Sequence, residues 1–170
     1  TTKPTGTEIG NISNHLAETQ MNYKELAHAV GEAGCSFCPA VYHGKRKAEN
    51  FKSQQLIGLD FDNGVPFHII QERAKYYHLK MLFAYKTFSH TIEHERFRVV
   101  FALQHKITDS FTAKFIVSIF MKIFENCDEA CKDSARLFFG GKGLLHLASK
   151  PREISLGEII LAFTAYMFDK

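Results

Sequence analysis

The sequence predicts an α+β domain with a β-α-β-β-α-β order from Gln54 onward. Three observations carry this. Leu56–Leu59 is an apolar run that ends in two carboxylates, Asp60 and Asp62. Arg96–Leu103 alternates strictly, with Phe97, Val99 and Phe101 on one side and Arg96 and Arg98 on the other. Segments with a helical apolar period follow Pro66 and Asp109. Such an order folds as a ferredoxin-like split, a mostly antiparallel sheet with helices on one face. Its first and third strands lie side by side at the centre.

The elements follow in order. Thr1–Thr19 is polar, contains Pro4, Gly6 and Gly10 and shows no period, so an extended arm or loops are expected. Asn22 with Glu25 forms a capping box; Leu26, Ala29, Val30 and Ala33 give the helix one apolar face, and Gly34 stops it. Phe37–Tyr42 reads as a short strand, kept at an edge by Pro39, and leads into the basic turn His43-Gly44-Lys45-Arg46-Lys47. The strand carrying Asp60 and Asp62 ends at the Asn63-Gly64 turn. Pro66 opens a helix to about Leu79, with Ile69, Ile70, Ala74 and Tyr77 inward. Lys80–Lys86 is the second strand, Thr87–Glu95 a polar loop and Arg96–Leu103 the third strand. Thr108 or Asp109 caps a long helix whose Phe111, Phe115, Ile119 and Ile123 repeat every four residues. A strand at Arg136–Phe139 ends in Gly140-Gly141-Lys142-Gly143. Ser155 and Glu158 box the last helix, with Ile159, Ile160, Phe163 and Met167 on one side. The chain reads as one domain: residues 1–53 an N-terminal helix and basic turn, 54–146 the core, and 147–170 a C-terminal helix.

A length of 170 residues, with 45% hydrophobic and 23% charged, is that of a globular chain with a real core. No apolar stretch of about 18 residues exists to span a membrane, and the expected location is the cytoplasm. The net charge of +3 is too small for bulk attraction to nucleic acid. Four cysteines form a CxxC (Cys35, Cys38) and a CxxxC (Cys127, Cys131). The second pair lacks the tight knuckle of a zinc site, so reduced thiols are expected.

Alternate side chains of a strand share a face, so Asp60 and Asp62 point the same way. They repel unless a cation lies between them, and hard divalent ions take oxygen ligands. Asp128, between the long helix and the last strand, is the best third acid. Asp133 is the rival, with helix capping or pairing with Arg136 as its plain explanation. Arg96 and Arg98 on the neighbouring strand either bind phosphate or form a solvated sheet face. Ser89 and His90 precede them and offer further donors. Lys45, Arg46, Lys47 and Lys142 flank the strand ends as a basic surface for nucleic-acid phosphates. Paired acids beside a phosphate-binding face fit phosphoryl or nucleotidyl transfer. Nucleases, phosphatases and polymerases all use such a set. Asp60→Ala is expected to abolish activity while leaving the melting temperature nearly unchanged.

Leu59-Asp60-Phe61-Asp62-Asn63 resembles motif I (hDhD) of the archaeo-eukaryotic primase superfamily. Joined with YKTFSHTIEHERFRVVFAL (from Tyr85) and CDEACKDSARLFFGGKG (from Cys127), it resembles the primase-polymerase catalytic domains of bacterial plasmids, phages and integrative elements, over roughly Asn22–His146. The resemblance implies an RRM-like core with a smaller N-terminal α/β portion packed beside it. It implies template-directed nucleotidyl transfer with Mg²⁺ or Mn²⁺, a single-stranded nucleic-acid template, nucleoside triphosphates and a replicative helicase as a possible partner. Asp60 and Asp62 match the motif I metal ligands, and Asp128 matches the motif III acid that precedes Arg136-Leu137. Motif II departs from the family: Ser89 is present, but the strand position of the usual His carries Arg98, and His90 and His94 lie in the loop. Nucleotide contacts then fall to Ser89, His90, Arg96 and Arg98. Two other readings compete. A HAD-type phosphohydrolase also begins with a strand and DxD, but needs a long β-α alternation that the adjacent strands at 80–103 break. A non-catalytic replication-initiator module would not need Asp60 and Asp62 intact. A HUH nicking enzyme needs a His-hydrophobic-His strand, which the sequence lacks.

Overall fold

Two eleven-residue strands, β2 (Phe51–Phe61) and β4 (Phe97–Ile107), pair antiparallel at the centre of the sheet in this computed structural model, which describes residues 2–170. They are the first and third strands of the split, neighbours as the order requires. β3 (Phe83–Thr87) lies on the other side of β4, β1 (Ala40–Tyr42) outside β2, and β5 (Gly141–Leu147) outside β3, giving the order β1-β2-β4-β3-β5. The short β6 (Glu153–Ile154) adds parallel to β4 at Ala102 and Leu103. The N-terminal β1 thus takes the edge beside β2, and the last long strand takes the far edge.

The pleat sorts the side chains. Ile57, Leu59 and Phe61 face one way with Phe97, Val99 and Phe101, all with no measurable exposure. Helices α3 (Phe67–Tyr76) and α4 (Ser110–Phe124) cover this face. Phe101 lies 5.0 Å from both Phe120 and Phe124, and Phe97 lies 5.0 Å from Phe61 and 5.1 Å from Phe67. The opposite face carries Asp60, Arg98 and Tyr85 in one row across three strands. Helix α2 (Tyr23–Gly31) packs on its β3–β5 side. Gly31 makes that possible, because a Cβ there would lie 2.5 Å from Leu144 and 3.2 Å from Tyr85.

Several elements differ from the sequence reading. Thr1 lies outside the described residues, but the arm expected over 1–19 contains helix α1 (Gly6–Asn14). Its start is a Thr5–Glu8 box, with the Thr5 amide donating to Glu8 Oε2 at 2.8 Å. It buries no residue, so it left no apolar period to read. The strand expected at 136–139 lies instead at 141–147, and the earlier segment contributes only a bridge from Phe138 to Phe37. The Gly140-Gly141 pair serves close packing rather than strand termination: a Cβ on Gly141 would lie 2.0 Å from the Lys86 carbonyl oxygen.

Helix faces also moved. Phe111 and Phe115 on α4 are 78% and 56% exposed, while Ala113, Ile116, Val117, Phe120 and Phe124 join Ile119 and Ile123 inside. A strict four-residue spacing drifts by roughly 40° per step on a 3.6-residue helix, so a row starting at Phe111 leaves the core face. On α5 (Leu156–Phe168), Ile159 and Ala162 are buried whereas Ile160 and Met167 are exposed. Ile69 on α3 and Ala33 beyond α2 are likewise exposed. Among the described residues, no helix is long and apolar enough to cross a membrane.

This burial sets a stability contrast. Phe120→Ala should cost about 3–5 kcal/mol, and Phe111→Ala less than about 0.5 kcal/mol, by urea unfolding. Equal costs would show that α4 presents a different face.

Candidate metal centre

β2 carries Asp60 to its penultimate position, paired with Arg98, and Asp62 follows on the same side just past the strand's end. The third carboxylate arrives from a loop. Glu125 (φ 43°) and Asn126 (φ 55°) adopt left-handed conformations that turn the chain sharply after α4. The Asn126 carbonyl accepts a hydrogen bond from Asn63 Nδ2 at 3.0 Å. The Asp128 amide then donates to the Asp60 carbonyl at 2.8 Å, and Cys131 Sγ accepts from the Asp60 amide at 3.3 Å. Both backbone groups of Asp60 are thus bonded to this loop, which docks Asp128 against the strand end. Asp128 Oδ1 also caps the short turn at 129–132 through the Ala130 amide at 3.0 Å.

One carboxylate oxygen from each of Asp60, Asp62 and Asp128 lies within 4.8 Å of the others, the sole such grouping of His, Cys, Asp and Glu among the described residues. Asp133 stays outside it and caps its own turn through the Ala135 amide at 2.9 Å.

Two arginines meet the acids. Asp60 is 1% exposed, and its Oδ2 accepts from Arg98 Nη2 at 3.0 Å and from Arg136 Nη2 at 2.7 Å. The same Arg136 nitrogen donates to Asp128 Oδ2 at 2.8 Å. Arg98 is held a second time, by the Phe139 carbonyl at 2.6 Å, which also accepts from the Tyr85 hydroxyl at 2.9 Å. The Phe138 ring lies 5.7 Å from the Arg98 guanidinium and 5.3 Å from that of Arg136. That ring rests on Gly58, where a Cβ would come within 2.9 Å of it.

Proton affinities follow from these neighbours. Asp62 reaches solvent, but partial desolvation against the sheet end pushes its carboxyl above the usual range, and the Asp60 charge adds to it. Burial would also raise Asp128, but the Ala130 amide and Arg136 outweigh it and hold it low. Burial works against the Arg98 charge, yet Tyr85 and Asp60 more than compensate. Burial pushes the Tyr85 phenol far up, so it remains a neutral donor. Burial raises the Cys131 thiol to about 11 and that of Cys127 to about 12.

The acids fit a hard divalent cation. Asp60 Oδ1 is buried with no hydrogen-bond partner, and the three acids offer only oxygen donors. Such a triad could bind a metal ion.

The other candidates divide. Ser89 is exposed on the turn after β3. His90 Nδ1 accepts from the Arg96 amide at 3.1 Å, and Lys142 Nζ donates to the His90 carbonyl at 2.9 Å. Arg96 acts on the Asp62 charge, and its Nε is buried without a partner. These four residues therefore gather at the metal-centre end of the sheet. Arg98 does not face solvent: it is 9% exposed and committed to Asp60 and Phe139. The basic turn is at the wrong end. Lys45–Lys47 precede Phe51, and nine strand residues of rise separate that position from Asp60, roughly 30 Å. Arg46 Nη2 donates to Ser13 Oγ of α1 at 2.7 Å, and Lys47 pairs with Glu49 at 3.8 Å.

Sequence reasoning missed two side chains that shape the centre. The sequence marks Arg136 as a partner for Asp133 and as the start of the segment after the motif III acid, but not as a ligand of Asp60 and Asp128. His94 Nε2 donates to the Asp62 carbonyl at 2.8 Å, with its ring against Gly64, whose φ of 81° is the left-handed turn read from Asn63-Gly64.

The family model of the VapE N-terminal domain matches residues 9–141. No curated protein matches the chain. Among solved structures, the AEP domain (PP-N190) of the cyanophage S-2L primase-polymerase is similar, with a TM-score of 0.55 at 10% identity over 73% of this chain and 68% of that one. At that identity the likeness establishes the fold, which is that of an archaeo-eukaryotic primase domain.

The burial of Asp60 reverses the expectation that its loss leaves stability untouched. Asp60→Ala strands the Arg98 charge and should cost about 3–5 kcal/mol. Asp62→Asn, at an exposed position, should cost less than about 1 kcal/mol. Chemical denaturation of both variants checks this. An Asp60→Ala protein as stable as the parent would mean that the pair with Arg98 contributes nothing.

Proposed function

The chain belongs to the VapE N-terminal domain family, and from that premise we propose that it is a metal-dependent nucleotidyltransferase of the primase-polymerase kind, acting on a single-stranded template. The observation that carries this reading is the convergence of Asp60, Asp62 and Asp128 from two separate chain segments, with one buried Asp60 oxygen left without a donor. The primase-type fold is the second support.

In this reading the three carboxylates hold Mg²⁺ or Mn²⁺. A divalent ion there supplies charge neutralisation at the phosphates and activation of the attacking hydroxyl. The protein side chains do the positioning. Arg98, bonded to Phe139 as well as to Asp60, fixes the Asp60 carboxylate. His94 fixes the backbone of Asp62. Ser89, Arg96 and Lys142, on the turn and strand ends around the acids, take the triphosphate oxygens, and His90 ties their loop together. Template phosphates run past Lys142. Any contribution from Lys45–Lys47 comes from template a strand's length away.

The HAD-type alternative fails on topology, because the long strands pair antiparallel rather than in a doubly wound parallel sheet. A DNA-binding module without catalysis is separated by experiment. Primer synthesis with labelled nucleotides on single-stranded circular DNA, in Mg²⁺ or Mn²⁺, should give labelled product. Chelation should abolish it and added metal restore it. Asp62→Asn and Asp128→Asn should each lower the rate by roughly a hundredfold or more. Absence of any incorporation by the parent chain, with or without a supplied primer, would overturn the reading.

A further inference from the structure

We propose that Arg136 is a built-in competitor of the divalent ion, which keeps the metal affinity of the three carboxylates low until a nucleoside triphosphate brings its own negative charge. The inference rests on the metal reading of the same acids given above.

Charge is the first argument. Three carboxylates face two guanidiniums, Arg98 and Arg136, both within 3.0 Å of Asp60 Oδ2. One net negative charge remains among these five groups if all are ionised, and Arg96, which also acts on Asp62, lowers the local negative charge further. A divalent cation is drawn to such a site far less strongly than to three uncompensated acids, and the arginines at close range repel it. A triphosphate restores the missing negative charge, so metal and nucleotide should bind with mutual support.

The second argument is how differently the two arginines are held. Arg98 lies on β4, paired in register with Asp60, and has a second anchor in the Phe139 carbonyl. Arg136 lies in the loop outside any named strand, and all its side-chain hydrogen bonds run through Nη2 to Asp60 and Asp128. Its Nη1 is buried with no partner. Those two carboxylates are the ones a metal would share. A cation shared by Asp60 and Asp128 would compete with Arg136 directly at Asp128 Oδ2 and draw charge away from Asp60 Oδ2, loosening the bonds that hold the Arg136 head, while Arg98 keeps an anchor of its own. The Arg136 side chain is then released to turn away while its loop stays docked on Asp60, and its fork suits a phosphate oxygen.

The test is a calorimetric titration of Mn²⁺ into the folded chain, with and without a non-hydrolysable nucleoside triphosphate. Arg136→Gln should bind Mn²⁺ alone at least about tenfold more tightly than the parent, since the competitor's charge is gone. A residue needed only for structure would weaken metal binding when lost. The triphosphate should tighten Mn²⁺ binding to the parent at least about tenfold, and by less in the variant. Equal or weaker Mn²⁺ binding by folded Arg136→Gln would overturn the proposal. If that variant does not fold, the parent alone decides: Mn²⁺ affinity indifferent to the triphosphate overturns it. Tightening of Mn²⁺ binding in Arg136→Gln together with no primer synthesis by the parent would refute the polymerase reading and leave this one standing. Synthesis with unchanged Mn²⁺ affinity would do the reverse.

Discussion

A carboxylate at 1% exposure survives in a protein only if cations and donors replace the water it has lost, and at Asp60 those replacements come from two parts of the chain, the neighbouring strand and the loop after α4. Arg98 comes from the neighbouring strand, Arg136 from the loop after α4, and the backbone partners from Asp128 and Cys131. Each of these fixes a different boundary of the centre. The register of β2 against β4 sets Asp60 opposite Arg98. A one-residue slip would put a phenylalanine on this face and send Asp60 into the aromatic core. The polar site and the apolar core are therefore two consequences of one register.

The sheet works as a partition between them. On the α3–α4 side, fully buried phenylalanines from β2, β4 and α4 stack in one layer. That layer supplies the burial energy that a polar face cannot. On the other side, glycines do what side chains do in the core. Gly58 gives Phe138 a flat floor, and Gly31 lets α2 approach Tyr85 and Leu144. Phe138 shields both guanidiniums from water, which strengthens their hold on Asp60.

The legible part of this arrangement was the part written in local pattern. The alternation of Arg96–Leu103 and the apolar run into Asp60 gave the central strand pair, and parity alone put Asp60 and Asp62 on one face. Asn22, Asp109 and Ser155 marked helix starts by capping chemistry, each with its side chain accepting from the first turn. What stayed illegible depended on contacts distant in sequence. Nothing in ARLFFGG says that Arg136 reaches an aspartate 76 positions earlier. Nor does it say that Gly140 and Gly141 press against Gly34 and Lys86 rather than closing a strand. The basic turn is ambiguous for a related reason: it is adjacent in sequence to the strand that carries Asp60, but an eleven-residue strand separates it from the acidic end. On α4, the four-residue phenylalanine spacing hid a rotation out of the core.

Asp60 answers to two demands that pull in opposite directions. Folding requires its charge to be neutralised inside the protein, because an unpaired buried carboxylate is costly. Binding a cation requires some of that charge to remain. The geometry reconciles these by dividing the carboxylate. Oδ2 takes both arginines, and Oδ1 is buried with no donor of its own. Asp62 and Asp128, less buried, contribute negative charge without bearing the folding cost. The loop bonded to both backbone groups of Asp60 carries Asp128 and Arg136 together. Any movement that alters the cation balance at Asp60 therefore moves a ligand and a counter-charge as one unit.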